Sequence, residues 1–192
     1  MIQLTPPSLT SLTPRTLSRV TAFILLSLMV AGLGNPPAYA GKSVRTGDQF
    51  PDIDWTTVDG KTLGFDELAD GRSVVMVFWA TWCAVCKKDW PELTALSEEF
   101  EGEEQSPRWV AVSVRDKAAE AKKVAVERQL PGVQLNDPEE VAFEDLGLKF
   151  IPHVIVVRAD GTVAYSDKPR IGKLRKLLIE LAETPPPAKE SR

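Results

Sequence analysis

The chain has 192 residues, with 23 Lys and Arg against 27 Asp and Glu, a formal net charge of −4, two cysteines and one histidine. An acidic balance without a basic block argues against a nucleic-acid partner. Three thiol and imidazole side chains are too few for a four-ligand Cys/His zinc site, so no metal is expected.

Residues 1–19 carry Arg15 and Arg19 and no acidic residue, residues 20–33 form an apolar run, and Ala38-Tyr39-Ala40 follows. A basic region, a short apolar core and a small-x-small tripeptide predict a secretory signal peptide over residues 1–40, cleaved after Ala40. The alternative is an uncleaved membrane anchor, although the run is shorter than the roughly 20 residues a spanning helix requires. No cysteine lies near that site, which excludes anchoring through a lipidated cysteine. Beyond residue 40, 21 basic residues oppose 27 acidic ones, a formal charge of −6. Export to an oxidising space would leave both cysteines paired. A disulfide closing the short loop from Cys83 to Cys86 would constrain the unfolded chain very little, so a purely structural staple is the weaker reading.

Residues 50–63 predict a hairpin turning at Asp59-Gly60, and residues 65–69 a short helix closed by Asp70-Gly71. Residues 74–79, Val-Val-Met-Val-Phe-Trp, read as a strand buried on both faces. A helix follows in which Trp90, Leu93, Leu96 and Phe100 share one face. Residues 101–107 are a polar loop, residues 108–114 a strand, and residues 117–130 an amphipathic helix rich in Ala, Glu and Lys. Asp137-Pro138 is expected to open another helix with Pro138 at its first position. Residues 154–157 and 162–165 predict a second hairpin around Asp160-Gly161, and residues 171–182 a closing helix with Leu174, Leu177, Leu178 and Leu181 inward. Residues 184–192 are Pro-rich with the composition of disorder. The order predicts one α/β domain around a mixed β-sheet.

Cys83 and Cys86 fall where the buried strand gives way to a helix. Unpaired backbone N–H groups and the macrodipole at a helix N-terminus favour a thiolate, and can lower a thiol pKa from about 8.5 into roughly the 3.5–7.5 range. Two cysteines three apart at such a point can close a disulfide with one thiol outward and one tucked behind it.

The segment Phe78-Trp-Ala-Thr-Trp-Cys-Ala-Val-Cys86, with Pro91 five residues on and Ile151-Pro152 ahead of a late strand, resembles the exported TlpA/ResA-like thiol-disulfide reductases of the thioredoxin-like superfamily. The resemblance covers about residues 46–183. It implies a thioredoxin-like fold, a central mixed sheet flanked by helices, with an N-terminal β-hairpin extension. It also implies that Cys83 is the nucleophile and Cys86 the resolving thiol, with a redox-active disulfide and no separate cofactor. Asp89 stands where these reductases carry an acidic residue credited with tuning the thiols. Pro152 stands where they carry a cis-proline, with Ile151 offering backbone hydrogen bonds to an extended substrate segment. Trp82 is a flat substrate contact beside Cys83, while Trp79 belongs to the core.

Several other positions are less distinctive. Ala84-Val85 lacks the proline that many thioredoxin-like proteins have between the cysteines. Val77 occupies the place of the buried aspartate of ordinary thioredoxins. Lys87 and Lys88 read as solvated, and His153 as a strand-initiating residue turned away from the thiols. The implied partners are disulfide-bearing exported proteins, apocytochrome c among them, and a membrane thiol-disulfide electron donor, with a monomeric enzyme in the periplasm or another extracytoplasmic space. The competing readings are a disulfide-donating oxidase of the same fold, a peroxiredoxin-like peroxidase and a non-catalytic thioredoxin-like binding domain. Neither cysteine has the Pro-x-x-x-Thr-x-x-Cys context of a peroxidatic thiol, because Ala80 stands three residues before Cys83 and Cys83 three before Cys86.

Overall fold

A computed structural model describes residues 43–103 and 105–183. The expected signal peptide and the Pro-rich tail lie outside the described residues. In chain order the elements are β1 (Trp55–Thr56), β2 (Thr62–Leu63), α1 (Phe65–Ala69), β3 (Val74–Trp79), α2 (Ala84–Glu98) and β4 (Arg108–Val114). Then come α3 (Ala118–Glu127), β5 (Val133–Asp137), α4 (Val141–Asp145), β6 (His153–Val157), β7 (Val163–Asp167) and α5 (Ile171–Glu183).

Five strands form one mixed sheet in the order β5-β4-β3-β6-β7, and β1 and β2 form a separate antiparallel pair. β3, β4 and β5 are parallel, whereas β6 runs antiparallel to both β3 and β7. This is the α/β architecture with an N-terminal hairpin that the sequence predicts. β3 lies at the centre because its six apolar side chains need cover on both sides, and all six are buried. Val74, Met76 and Phe78 pack with Trp55, Leu68 and Ile155 on one face. Val75, Val77 and Trp79 pack with Cys86, Trp90, Leu93 and Leu96 of α2 on the other. Burying side chains of this kind stabilises by about 1.5–3 kcal/mol each. The same alternation fixes which face α2 occupies, and so where its N-terminus meets the end of β3.

The chain ahead of β3 straps the sheet from edge to edge. The Gly47 N–H donates to the Val163 carbonyl, and the Val163 N–H to the Asp48 carbonyl, each at 2.8 Å. At the opposite edge Thr57 bridges Leu135, and the Val58 N–H donates to the Gln134 carbonyl at 3.1 Å. Between these edges Val44 and Trp55 are buried over the face that α2 leaves open, with Phe50 and Ile53 partly buried beside them. Each outer strand is thereby covered at one point, Val163 on β7 and residues 134–135 on β5, which blunts edges that invite association.

Several boundaries differ from the sequence reading. The first hairpin is paired only over Trp55–Thr56 and Thr62–Leu63, because residues 50–53 belong to the strap. Its turn is where expected, with Gly60 at φ 84°. The strand β5 was not expected; it is only five residues long, and its alternation, Val133-Gln-Leu-Asn, spans just four of them. It is led by Gly132, where a Cβ would lie 1.8 Å from the Trp109 carbonyl oxygen. Pro138 does not open a helix. Asp137 closes β5 opposite Val114, Glu140 adopts φ 60°, and α4 starts at Val141. The Asp137 carboxylate reaches across this turn to accept the Phe143 N–H at 2.9 Å, serving the helix from inside a strand. The helix α3 is also shorter than residues 117–130, since Gln129 turns left-handed at φ 52°.

Candidate active site

At the end of β3 the chain turns through Ala80, Thr81 and Trp82 into α2. The Cys83 N–H donates to the Ala80 carbonyl at 3.1 Å. Cys83 is then the N-cap of α2, in extended conformation, and its Sγ accepts the Cys86 N–H at 3.1 Å. The pair is closed as a disulfide with Cα atoms 5.3 Å apart. Cys83 is 7% exposed and Cys86 1%, so the first sulfur is the accessible one. A sulfur at an N-cap takes the place of a capping oxygen, and on reduction a thiolate there faces unpaired N–H groups and the positive end of the helix dipole. No acidic residue stands in the first turn to oppose this.

The turn is held from the side by a residue the sequence reading did not single out. Asp116, 3% exposed, accepts the Thr81 N–H at 2.7 Å and the Thr81 hydroxyl at 2.6 Å. Its carboxylate ties the loop after β4 to the loop after β3, two residues before Cys83. A polar residue just beyond the C-terminal end of a parallel strand, beside the active-site strand, was the available signal.

The Ile151–Pro152 bond is cis, as the resemblance implied. Phe78 pairs with His153, so the residues before His153 lie beside those after Phe78, at the same end of the sheet as the disulfide. Ile151 packs against both core clusters. His153 itself shares the face of Phe78 and Ile155, opposite that of α2 and the cysteines, because side chains alternate along β6. It is turned away from the thiols. Its ring lies 4.8 Å from that of Phe150, and Nε2 is 3.0 Å from the Ser166 hydroxyl. Burial pushes the imidazole pKa down to about 4, against a smaller upward pull from Asp167.

The remaining candidates are distributed around these two loops. Trp82 and Val85 are each 56% exposed and flank Cys83, whereas Trp79 is buried and meets Trp90 edge-on at 5.8 Å. Asp89 is half-buried one turn below Cys86. Burial raises its carboxyl above the ordinary range, Glu92 adds to the rise, and Lys88 opposes it. Lys87 and Lys88 are exposed. Pro91 lies inside α2 and cannot donate to the Lys87 carbonyl one turn back. Val77 is buried beneath α2 in the cysteines' own cluster. A groove of about 550 Å³ lined by Arg72, Arg108, Trp109 and Gly132 lies at the opposite end of the sheet, where β4 begins, and takes no part in this site. Among the described residues no group of three or more His, Cys, Asp or Glu side chains could hold a metal, and no helix is long and apolar enough to cross a membrane.

The model of the AhpC/TSA family matches residues 46–166. The chain is 25% identical over 148 residues to the thiol-disulfide oxidoreductase ResA of Bacillus subtilis (strain 168), spanning 72% of this chain and 78% of ResA. It is 33% identical over 88 residues to the thioredoxin-like protein YneN of the same organism, 44% of this chain and only 51% of YneN, about half its length. A secreted disulfide oxidoreductase of Mycobacterium tuberculosis, described as homologous to E. coli DsbE, superposes with a TM-score of 0.58 at 22% identity, covering 68% of this chain and 96% of that one. That likeness shows the fold, which the strand order and the position of the disulfide already required. With the family matched over most of the described residues and a disulfide-bonded cysteine pair at the tip of α2, the chain belongs to the AhpC/TSA family, among its thioredoxin-like thiol-disulfide oxidoreductases.

Proposed function

We propose that this oxidoreductase works outside the cytoplasm as a reductase of protein disulfides. The observation that carries the reading is the placement of Cys83, its sulfur capping α2 between exposed Trp82 and Val85 with the Ile151–Pro152 loop alongside. In the reduced enzyme the Cys83 thiolate attacks one sulfur of a substrate disulfide. A mixed disulfide forms and the first substrate sulfur leaves as a thiolate. Cys86 then loses its proton and attacks the Cys83 sulfur. The Cys83–Cys86 disulfide closes and the second substrate thiolate departs, so two electrons pass to the substrate and each product sulfur gains a proton. Burial raises the Asp89 carboxyl above its ordinary range, which makes it a stronger base than a free carboxylate for the resolving thiol's proton one turn away at Cys86.

The disulfide is the only redox group this cycle uses, and a thiol donor must reopen it after each turnover. A membrane thiol-disulfide transporter fits that role for an exported chain, and oxidised exported proteins, including the haem-binding cysteines of apocytochrome c, fit as substrates. Support for export comes from the leader-like residues 1–40 and from the secreted M. tuberculosis relative. The test is dithiothreitol-driven reduction of an exposed protein disulfide by residues 41–192. Wild type should accelerate it and Cys83→Ser should not. Equal rates with and without the wild-type protein would defeat the reading, and consumption of micromolar peroxide instead would favour a peroxidase.

A further inference from the structure

We propose that His153 is a positioning residue for substrate, which with Phe150 mounts the Ile151–Pro152 loop against the incoming polypeptide without touching the redox chemistry; this rests on the reading of that loop as the substrate contact. The four residues 150–153 form a bridge whose two ends are closed on each other. Phe150 and His153 meet ring to ring at 4.8 Å, and only Ile151 and Pro152 stand between them. The closure is anchored from the neighbouring strand, because His153 Nε2 lies 3.0 Å from the Ser166 hydroxyl of β7. It is anchored from the loop beyond β7 as well, where the Lys168 ammonium sits 5.5 Å above the Phe150 ring. Lys168 is itself held there, its carbonyl accepting the Tyr165 hydroxyl and its N–H donating to the Asp167 carboxylate at 2.8 Å.

His153 is poorly suited to act on the thiols. It is 6% exposed and faces the Phe78 side of the sheet, while Cys83 and Cys86 pack on the other side. A plain core role would be met by any side chain of similar volume. The ring contact demands more, since it sets the height and tilt of the two residues between the rings. A loop misplaced by about 1 Å can cost on the order of 100-fold in a reaction that depends on alignment. A substrate held only at its sulfur would not feel the change.

The test compares a protein disulfide with a small aromatic disulfide, 5,5′-dithiobis(2-nitrobenzoate), using wild type, His153→Ala and His153→Phe, each well below its melting temperature. His153→Ala should raise KM for the protein disulfide roughly tenfold. It should leave the rate with the small disulfide and the Cys83–Cys86 reduction potential within about twofold in the corresponding equilibrium constant. His153→Phe keeps a ring against Phe150 and should restore most of the lost affinity. An unchanged KM in His153→Ala, a shifted potential, or no rescue by phenylalanine would overturn the proposal while leaving the reductase intact. A wild-type protein that exchanges with the small disulfide but with no protein disulfide would overturn both.

Discussion

Two loops meet at the C-terminal end of β3, and they are secured by different means. The turn into α2 is held by charge-assisted hydrogen bonds, with Asp116 gripping Thr81 through both its N–H and its hydroxyl. The Ile151–Pro152 loop is held by rings, with Phe150 between His153 and Lys168. On the proposed function the first loop carries the sulfur that reacts, and the second, beside it, receives what is bound to that sulfur. Damage on the cysteine side should therefore appear with every disulfide substrate, and damage on the proline side only with polypeptides. The difference teaches that two loops of one site can rest on separate supports, so that chemistry and recognition can be broken separately.

The largest effects lie on the cysteine side. Cys83→Ser should abolish turnover with protein and small disulfides alike. Cys86→Ser should still attack and accumulate a mixed disulfide with the substrate, seen as an added mass that dithiothreitol removes. If both variants were equally silent towards a protein disulfide, the assignment of Cys83 as the attacking sulfur would lose its support.

The proline side has its own signature in pH. The His153 pKa is about 4 in the folded chain against 6.5 for the free group. Between those values the unfolded chain binds more protons than the native one, so stability rises with pH across this window and is lost as pH falls through it. Relative to His153→Phe, wild type should lose up to roughly 3 kcal/mol between pH 7 and pH 4. Parallel stability curves for the two proteins would mean that the imidazole is not desolvated.

Asp116→Ala sharpens the comparison from the other side. It leaves the Thr81 N–H and hydroxyl without their acceptor, at a cost of about 2 kcal/mol, which for a chain of this size lowers Tm by roughly 4–8 °C. Turnover of small and protein disulfides should fall together, in contrast to His153→Ala. The smallest effect is expected at Asp89. Its raised carboxyl pKa means that ionisation is disfavoured in the folded state, so the native chain binds more protons than the unfolded one and stability declines as pH rises through the raised pKa. Asp89→Asn should be slightly more stable than wild type at pH 7 and should lose that advantage in acid. Its mixed disulfide should also resolve more slowly.

The two loops also differ in how far they could be read from sequence. The cysteine side was legible because its determinants are contiguous: a buried strand, a turn, two cysteines and a helix with Trp90, Leu93 and Leu96 on one face. The prolyl loop was legible through resemblance alone, since nothing local to Ile151-Pro152 places it beside Cys83. Its neighbourhood follows from the pairing of Phe78 with His153, 75 positions apart in the chain. Asp116 was missed for the same reason, because its partner Thr81 lies 35 residues away. The strand β5 and the late start of α4 were missed because Asp137 both ends a strand and supplies a carboxylate to the following helix, two duties that pull a local reading in opposite directions. Residues 50–58 read as the first strand of a hairpin, since their bulky apolar residues are spaced like a strand, although only Trp55 and Thr56 pair with β2 and Phe50 and Ile53 cover a sheet face.

The central claim is that Cys83 and Cys86 supply electrons to substrate disulfides, and the reduction potential of that pair tests it most directly. Residues 41–192 would be equilibrated with defined thiol-disulfide buffers, and the oxidised fraction measured after acid quenching and alkylation. A value near the roughly −270 mV of thioredoxin is the expected result for a reductase fed by a dedicated donor. A value near the roughly −120 mV of a strong periplasmic oxidant would contradict the account and make the chain a donor of disulfides.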